Sequence, residues 1–248
     1  MRLSALVTVA LAAVALTSPL QKRAKAQVVT KCTVPNTAAL TFDDGPFVYL
    51  YDVSKALVAA GAKGTFFFNG DNYGGCIYNE DQAKRVKYAY DKGHQIASHT
   101  WSHAHLNNLT WDQLHHEFWL VEQAFQKIAG VTPAFMRPPY GEYNDLVLEV
   151  AGNRGQTVAI WDFDSRDSAG ATAAQSNKLY DDLAKAHPST ILALNHDVYQ
   201  QTAQVVVPHA IATLQKAGYK LVTLAECLGR PAYQSVGAPA VRDDSWKC

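Results

Sequence analysis

Ala38-Ala39-Leu40-Thr41-Phe42-Asp43-Asp44-Gly45-Pro46 sets a short apolar run directly against two adjacent carboxylates and a turn. An apolar run of this length, without polar alternation, fits a strand covered on both faces, the usual state of a parallel strand. Gly45-Pro46 makes a sharp turn there, and a turn at a strand end aims neighbouring carboxylates in different directions. A solvated Asp-Asp-Gly turn is the commoner context for such a tripeptide, but the dry run in front of this one argues against it.

Outward from that run, six more β-rich stretches follow: Thr65–Phe68, Gln95–Ser98, Ala134–Arg137, Thr157–Phe163, Thr190–Leu194 and Lys220–Leu224. Helical patterns separate them over Asp52–Ala60, Asp81–Asp91, Thr110–Ala129, Leu146–Asn153, Asn177–Ala186 and Pro208–Ala217. Thr110–Ala129 is the clearest, with Leu114, Phe118, Val121, Phe125 and Ile128 at helical spacing, a capping box from Thr110 to Gln113, and Gly130 as its stop. Strands alternating with helices predict parallel pairing through right-handed crossovers. The expected fold is therefore α/β, a distorted (β/α) barrel of about seven parallel strands, with an open doubly wound sheet as the alternative. No glycine-rich phosphate loop follows the first strand, which weakens the nucleotide-binding version of that alternative.

The unusual residues gather at one end of these strands. Asp43-Asp44 follows the first, His99 to His103 the third and Arg137-Pro138-Pro139-Tyr140 the fourth. Asp162 to Asp167 closes the fifth, and Asn195-His196-Asp197 follows the sixth. Carboxyl ends of strands are where barrel enzymes place their chemistry. His99 and His103, four apart, can share a metal, although two such histidines are also common on solvated helices. The zinc-protease pattern puts Glu directly after the first His, and here Thr100 stands there. One carboxylate of Asp43-Asp44 would complete a two-His, one-carboxylate site, and the other would take a proton from water. His196 fits a third ligand, a general acid or a core histidine; Asn195 and Asp197 beside it argue against burial. Asp164 is placed to hold and polarise His196, and Arg137 to pair with Asp43.

The whole chain has 248 residues, 48% hydrophobic and 18% charged, with zero formal net charge. That excludes the basic stripe of a nucleic-acid binder and suits a neutral polymer as partner. Arg2 precedes an apolar run from Leu3 to Leu20, read as a secretory signal peptide and too short in its core for stable membrane insertion. Lys22-Arg23 reads as a dibasic processing site, so residues 1–23 are removed and 24–248 form one domain with its motifs within about 38–229. Four cysteines in an exported chain imply two disulfides with three possible pairings. Cys32 with Cys227, and hence Cys76 with Cys248, is favoured because it clamps the start of the fold to its end. Asn108-Leu109-Thr110 is an N-glycosylation sequon at Asn108.

Taken in order, five segments resemble the five motifs of the polysaccharide deacetylases, the NodB-like carbohydrate esterases that include fungal chitin deacetylases. They are Thr41-Phe-Asp-Asp-Gly-Pro46, Ser98-His-Thr-Trp-Ser-His103, Arg137-Pro-Pro-Tyr140, Asp164-Ser-Arg-Asp167 and Leu194-Asn-His-Asp197. The resemblance implies a distorted (β/α) barrel and Asp43 as catalytic base. Asp44, His99 and His103 become ligands of one divalent metal, zinc or cobalt, and no organic cofactor is needed. It further implies Arg137 orienting the base, the Tyr140 backbone N–H at the oxyanion, and His196 as acid tuned by Asp164. By the same resemblance Leu194 is expected to line the acetyl-methyl pocket. Ser168 stands where the family often has an aromatic residue, and Trp161 is the candidate to fill that space; His105 stands where an acid is frequent. The expected activity is metal-dependent N-deacetylation of chitin or its oligosaccharides by a secreted monomer. O-deacetylation of a polymer such as xylan is the alternative, and a non-catalytic wall-binding protein the minor one.

Overall fold

Thr37–Gly45 forms a strand buried along its entire length, as its composition demands. In the computed structural model, which describes residues 25–248, it lies in the middle of a parallel sheet. The signal-peptide and dibasic readings of residues 1–23 lie outside the described residues. Among the described residues the sheet has nine strands. In chain order they are β1 (Val28–Val29), β2 (Thr37–Gly45), β3 (Thr65–Phe68), β4 (Gln95–Ser98) and β5 (Phe135–Met136), then β6 (Thr157–Ala159), β7 (Phe163–Asp164), β8 (Thr190–His196) and β9 (Lys220–Leu221). They lie in the order β1-β6-β5-β4-β3-β2-β8-β7, with β9 also against β2, and every pairing is parallel.

The sheet curls because its two ends are tied by one stretch of chain. The Ile160 N–H donates to the Val29 carbonyl at 2.8 Å, and two residues later the Asp162 N–H donates to the Leu192 carbonyl at 3.1 Å. The run 157–163 therefore does not form the single strand expected. It pairs with β1 and β5 at its start and with β8 at its end, and breaks over residues 160–162 as it crosses between them. The result is a curled, incompletely closed (β/α) barrel.

Among the described residues seven α-helices pack against it: α1 (Leu50–Ala59), α2 (Glu80–Asp91), α3 (Trp111–Ala129), α4 (Asp145–Asn153), α5 (Ala173–Ala186), α6 (Val207–Lys216) and α7 (Leu224–Leu228). The Thr110–Gln113 capping box starts α3 and left-handed Gly130 ends it. The last expected strand stops at Leu221, because Thr223 caps α7 in a box with Glu226.

Side chains alternate along each strand, so parity decides what each residue faces. Ala38, Leu40 and Phe42 join the large cluster under the helices, while Ala39, Phe67, Ala97, Phe135, Ala159 and Leu192 form a second cluster along the barrel axis, closed at one end by α7. Counting on in twos from these inner residues reaches Thr41 and Asp43, His99, Arg137, and Leu194 and His196. The same alternation that buries alanine and phenylalanine in the axis delivers the charged groups to its open end. The cysteines pair as Cys32–Cys227 and Cys76–Cys248. Among the described residues no helix is long and apolar enough to cross a membrane.

Candidate active site

Asp43 and Asp44 are adjacent yet serve different partners, because Asp44 has a left-handed backbone with φ of 71°. Asp43 keeps the strand's inward parity and meets Arg137: one guanidinium nitrogen lies 2.8 Å from its Oδ1 and 2.7 Å from the Thr41 hydroxyl. The other guanidinium nitrogens donate to the carbonyls of Ala159 and Ile160 at 3.2 and 2.9 Å, and the group lies 4.2 Å from the Phe67 ring centroid. Arg137 is fully buried, so this is a buried pair in which every guanidinium nitrogen is hydrogen-bonded rather than a surface bridge of little worth.

Asp44 Oδ1 faces two imidazoles, with His103 Nε2 at 3.1 Å and His99 Nε2 at 3.4 Å. His99 Nδ1 lies 2.8 Å from the Arg137 carbonyl oxygen, which accepts its proton and leaves the Nε2 lone pair aimed at Asp44. Asp44 Oδ1 and the Nε2 atoms of His99 and His103 converge on one point, and Asp44 Oδ1 is buried with no hydrogen-bond partner. Their donor atoms lie within 4.8 Å of one another. Ligands about 2.0–2.2 Å from a tetrahedral centre stand roughly 3.3–3.6 Å apart, so the cluster fits a divalent cation such as zinc. Burial presses the Asp44 carboxyl upward, but the imidazoles of His103 and His99, when they carry a proton on Nε2, outweigh it and hold it well below the usual carboxylate range. The loop that carries the two histidines has an unusual backbone, for Thr100 and His103 both take positive φ, 68° and 57°.

His196 sits on β8 directly across from Asp43, the two being register partners. Its expected partner was Asp164, and here the structure corrects the sequence reading. Asp164 Oδ1 accepts from the Arg166 N–H at 2.7 Å, spending itself on the turn that Arg166 makes with φ of 60°. After that turn Asp167 comes back towards β8. Its Oδ1 lies 2.8 Å from His196 Nδ1, and its Oδ2 accepts from the His196 backbone N–H and the Thr202 hydroxyl at 2.8 and 2.9 Å. Burial lowers the His196 pKa, but the hydrogen bond and charge of Asp167 prevail and take it up to about 9. The flanking polar residues do not keep this segment exposed: Asn195, His196 and Asp197 are 1%, 8% and 0% exposed. Burial pushes the Asp197 carboxyl well above its ordinary range, with the Asp44 charge adding to it.

Asp43, Asp44, His99, His103 and His196 line a cleft of ≈ 370 Å³ with Leu194, Tyr140, Trp161, Asp164 and Ser168. Tyr140 takes φ of 59° in the short turn Pro139–Gly141, and its half-exposed ring stacks on His105 at 4.0 Å and meets His103 edge-on at 4.7 Å. Trp161 lies under Gly141, where an added Cβ would come within 2.9 Å of the indole. Tyr73 and Tyr199 also line the cleft and went unnoticed in the sequence, since neither falls in a motif. Asn108 is exposed at the end of a single helical turn, Leu106–Asn108.

The family model for polysaccharide deacetylase matches residues 30–159. A chitin deacetylase of Pestalotiopsis sp. is 38% identical over 88% of this chain and 74% of its own length. The chain belongs to the polysaccharide deacetylase family. An Arthroderma benhamiae protein named as a probable peptidoglycan-N-acetylglucosamine deacetylase is 35% identical over 83% of this chain, which spans 47% of that protein's length. The structure of the chitin deacetylase from Colletotrichum lindemuthianum superposes with a TM-score of 0.79 at 29% identity, covering 84% of this chain and 94% of the other. For a polysaccharide deacetylase the region beyond residue 159 matters as much as the matched part. Parallel pairing of β8 with β2 brings His196 beside Asp43 from outside the matched span.

Proposed function

We propose that this polysaccharide deacetylase removes N-acetyl groups from N-acetylglucosamine residues of chitin or chito-oligosaccharides, using one divalent cation, zinc or cobalt, held by Asp44, His99 and His103. The observation that carries this reading is the pairing of Asp43 with His196 across β2 and β8, beside the three-donor cluster and open to one cleft. The relatives' names support the sugar: chitin and peptidoglycan share N-acetylglucosamine.

When bound, the cation supplies Lewis acidity for the acetyl carbonyl and a lowered pKa for the attacking water. Asp43, its rotamer fixed by Arg137, accepts the water proton as the C–O bond forms. The backbone N–H of Tyr140 donates to the oxyanion that develops on the former carbonyl. Leu194 covers the methyl group. His196, with Nδ1 held by Asp167, gives its Nε2 proton to the sugar nitrogen as the C–N bond breaks, releasing acetate and a free amine. The chain would act as a monomer outside the cell, where its two disulfides persist.

The test is mass spectrometry of products from defined N-acetylglucosamine oligomers, with acetylated xylan in parallel, using chelated and remetallated enzyme. Loss of 42 Da per acetyl from the amino sugar, abolished by chelation and restored by zinc or cobalt, is the expected result (~42 Da being the mass of the acetyl group less the hydrogen that replaces it). Acetate released only from xylan would reassign the substrate, and release indifferent to chelation would overturn the cation's role.

A further inference from the structure

The loop Thr100–Ser102 between the two histidines is strained, with Thr100 in the left-handed region, and such backbone persists only where its surroundings hold it. On its outer side it is held by the segment Asn69–Cys76. The Asn69 amide donates to the carbonyls of His99 and Thr100 at 2.5 and 3.1 Å, and the N–H groups of Gly70 and Asp71 both donate to the Trp101 carbonyl, at 3.0 and 2.8 Å. Gly70 lies flat on the Trp101 indole; a Cβ there would fall 1.8 Å from a ring carbon. On its other side the Ser102 N–H and hydroxyl donate to Glu117 at 2.8 and 2.6 Å.

The segment that grips the loop is itself short. Asp71–Asn72 and Gly75–Cys76 form a two-rung hairpin, too small to be stable alone. Its last residue, Cys76, is bonded to Cys248 at the chain end. The C-terminal run is tied down in turn: Gly237 N–H donates to the Gly130 carbonyl at 2.7 Å, Ala240 N–H to the Lys127 carbonyl at 2.9 Å, and Lys127 Nζ to the Ser245 carbonyl at 2.9 Å. The Arg242 guanidinium donates to the Tyr78 carbonyl at 2.6 Å, and Trp246 packs 5.8 Å from Tyr78, whose ring also meets Trp101.

We propose that the C-terminal run 237–248, locked by Cys76–Cys248 to the hairpin, is a strap that positions the His99–His103 loop, so that breaking the strap weakens cation binding without unfolding the barrel. It rests on reading Asp44, His99 and His103 as the cation site. Cys248 and Trp246 are positioning residues, remote from the reacting atoms. The other disulfide is the internal control, since Cys32–Cys227 sits among the axial residues that pack with α7 and has no contact with the loop.

The test compares wild type, Cys76→Ser with Cys248→Ser, Cys32→Ser with Cys227→Ser, and Trp246→Ala, which keeps both disulfides should the first variant not fold. Zinc affinity is read by competition with a chromogenic chelator, and hydrogen exchange is followed in cation-free protein at the amides of Gly70, Asp71 and Ser102. Loss of the strap should weaken zinc by about tenfold or more, the scale seen when groups supporting ligands are removed, and speed exchange at those three amides but not in β2 or β3. Removing Cys32–Cys227 should lower stability and leave zinc affinity unchanged. Unchanged exchange at the three amides in both strap variants overturns the strap. Faster exchange with unchanged zinc affinity overturns its link to the cation. Wild type that takes up no zinc sinks the site reading, and exchange alone then decides whether the strap holds the loop.

Discussion

His94 and His196 are both buried, one just before β4 at the closed end of the barrel and the other at the end of β8 in the open end, yet the fold favours the neutral form of the first and the protonated form of the second. His94 Nδ1 accepts the Gly64 N–H at 3.2 Å, which puts its proton on Nε2, 2.9 Å from the Ser54 hydroxyl. Burial, unopposed by a carboxylate, takes its pKa down to about 4. His196 has burial opposed by Asp167 and rises to about 9. The difference extends to whole neighbourhoods. The closed end is held by neutral hydrogen bonds, among them Thr65 and Gln95 to the first amides of α7. The open end collects Asp43, Asp44, Arg137, His99 and His196, and non-glycine residues with positive φ at positions 44, 100, 103 and 140. Buried charge gathers where chemistry needs it, whereas left-handed backbone is not confined to the open end, since Asn36 and His187, just before β2 and β8, also take positive φ.

The most damaging way to break that contrast is to neutralise the base. Asp43→Asn keeps the shape of the side chain and removes the acceptor charge. It should lower kcat by roughly 10²–10⁴-fold while metal content by elemental analysis stays near normal. Activity close to wild type would remove Asp43 from its role, and lost metal would make it a ligand instead.

A smaller effect tests what sets the acid. His196 has a folded pKa above its ordinary value of 6.5, so any stability from this proton is present below 6.5 and fades as pH rises through about 9. The acid form is therefore the neutral-pH form, and activity should fall on the alkaline side. Asp167→Asn removes the opposing charge, so that fall should begin at lower pH, with kcat at neutral pH down roughly tenfold. Asp164→Asn should leave the alkaline limb where it is. If the two variants behave in the opposite way, the assignment of the partner to Asp167 fails.

That pair also shows what the sequence could carry. The apolar run before Asp43 announced a buried strand, and five polar clusters at strand ends announced one functional face, since both are local patterns. Asp164 and Asp167 are three apart in one short segment, and only the left-handed turn at Arg166 decides which returns to His196. The break in the run 157–163 likewise depends on β1 and β8, partners far away in sequence. By contrast α7 was legible. Thr223-Leu-Ala-Glu226 is a capping-box pattern hidden behind a strand reading of Lys220–Leu224, and the box forms. Trp101 lay in plain view between the two histidines, yet its contact with Gly70 rests on a chain end 147 positions later reaching back through a disulfide.

The mildest perturbation belongs to the closed end. His94 is kept neutral, so between about 6.5 and 4 the unfolded chain binds a proton that the folded chain refuses; its contribution to stability is present above that window and is lost as pH falls through it. His94→Phe keeps a ring against Phe66, whose centroid is 5.4 Å from the imidazole, but leaves the Ser54 hydroxyl and the Gly64 N–H without this partner. Urea unfolding at pH 7 should show a loss of about 1–3 kcal/mol, the cost of unpaired buried groups. At pH 4.5 the deficit should shrink, because wild type has by then lost stability that the variant never had. Deacetylation at pH 7 should be unchanged, since no group of the cleft touches His94. A deficit that stays constant with pH would mean that the fold does not hold the imidazole neutral, and the contrast between the two ends of the barrel would not rest on protons.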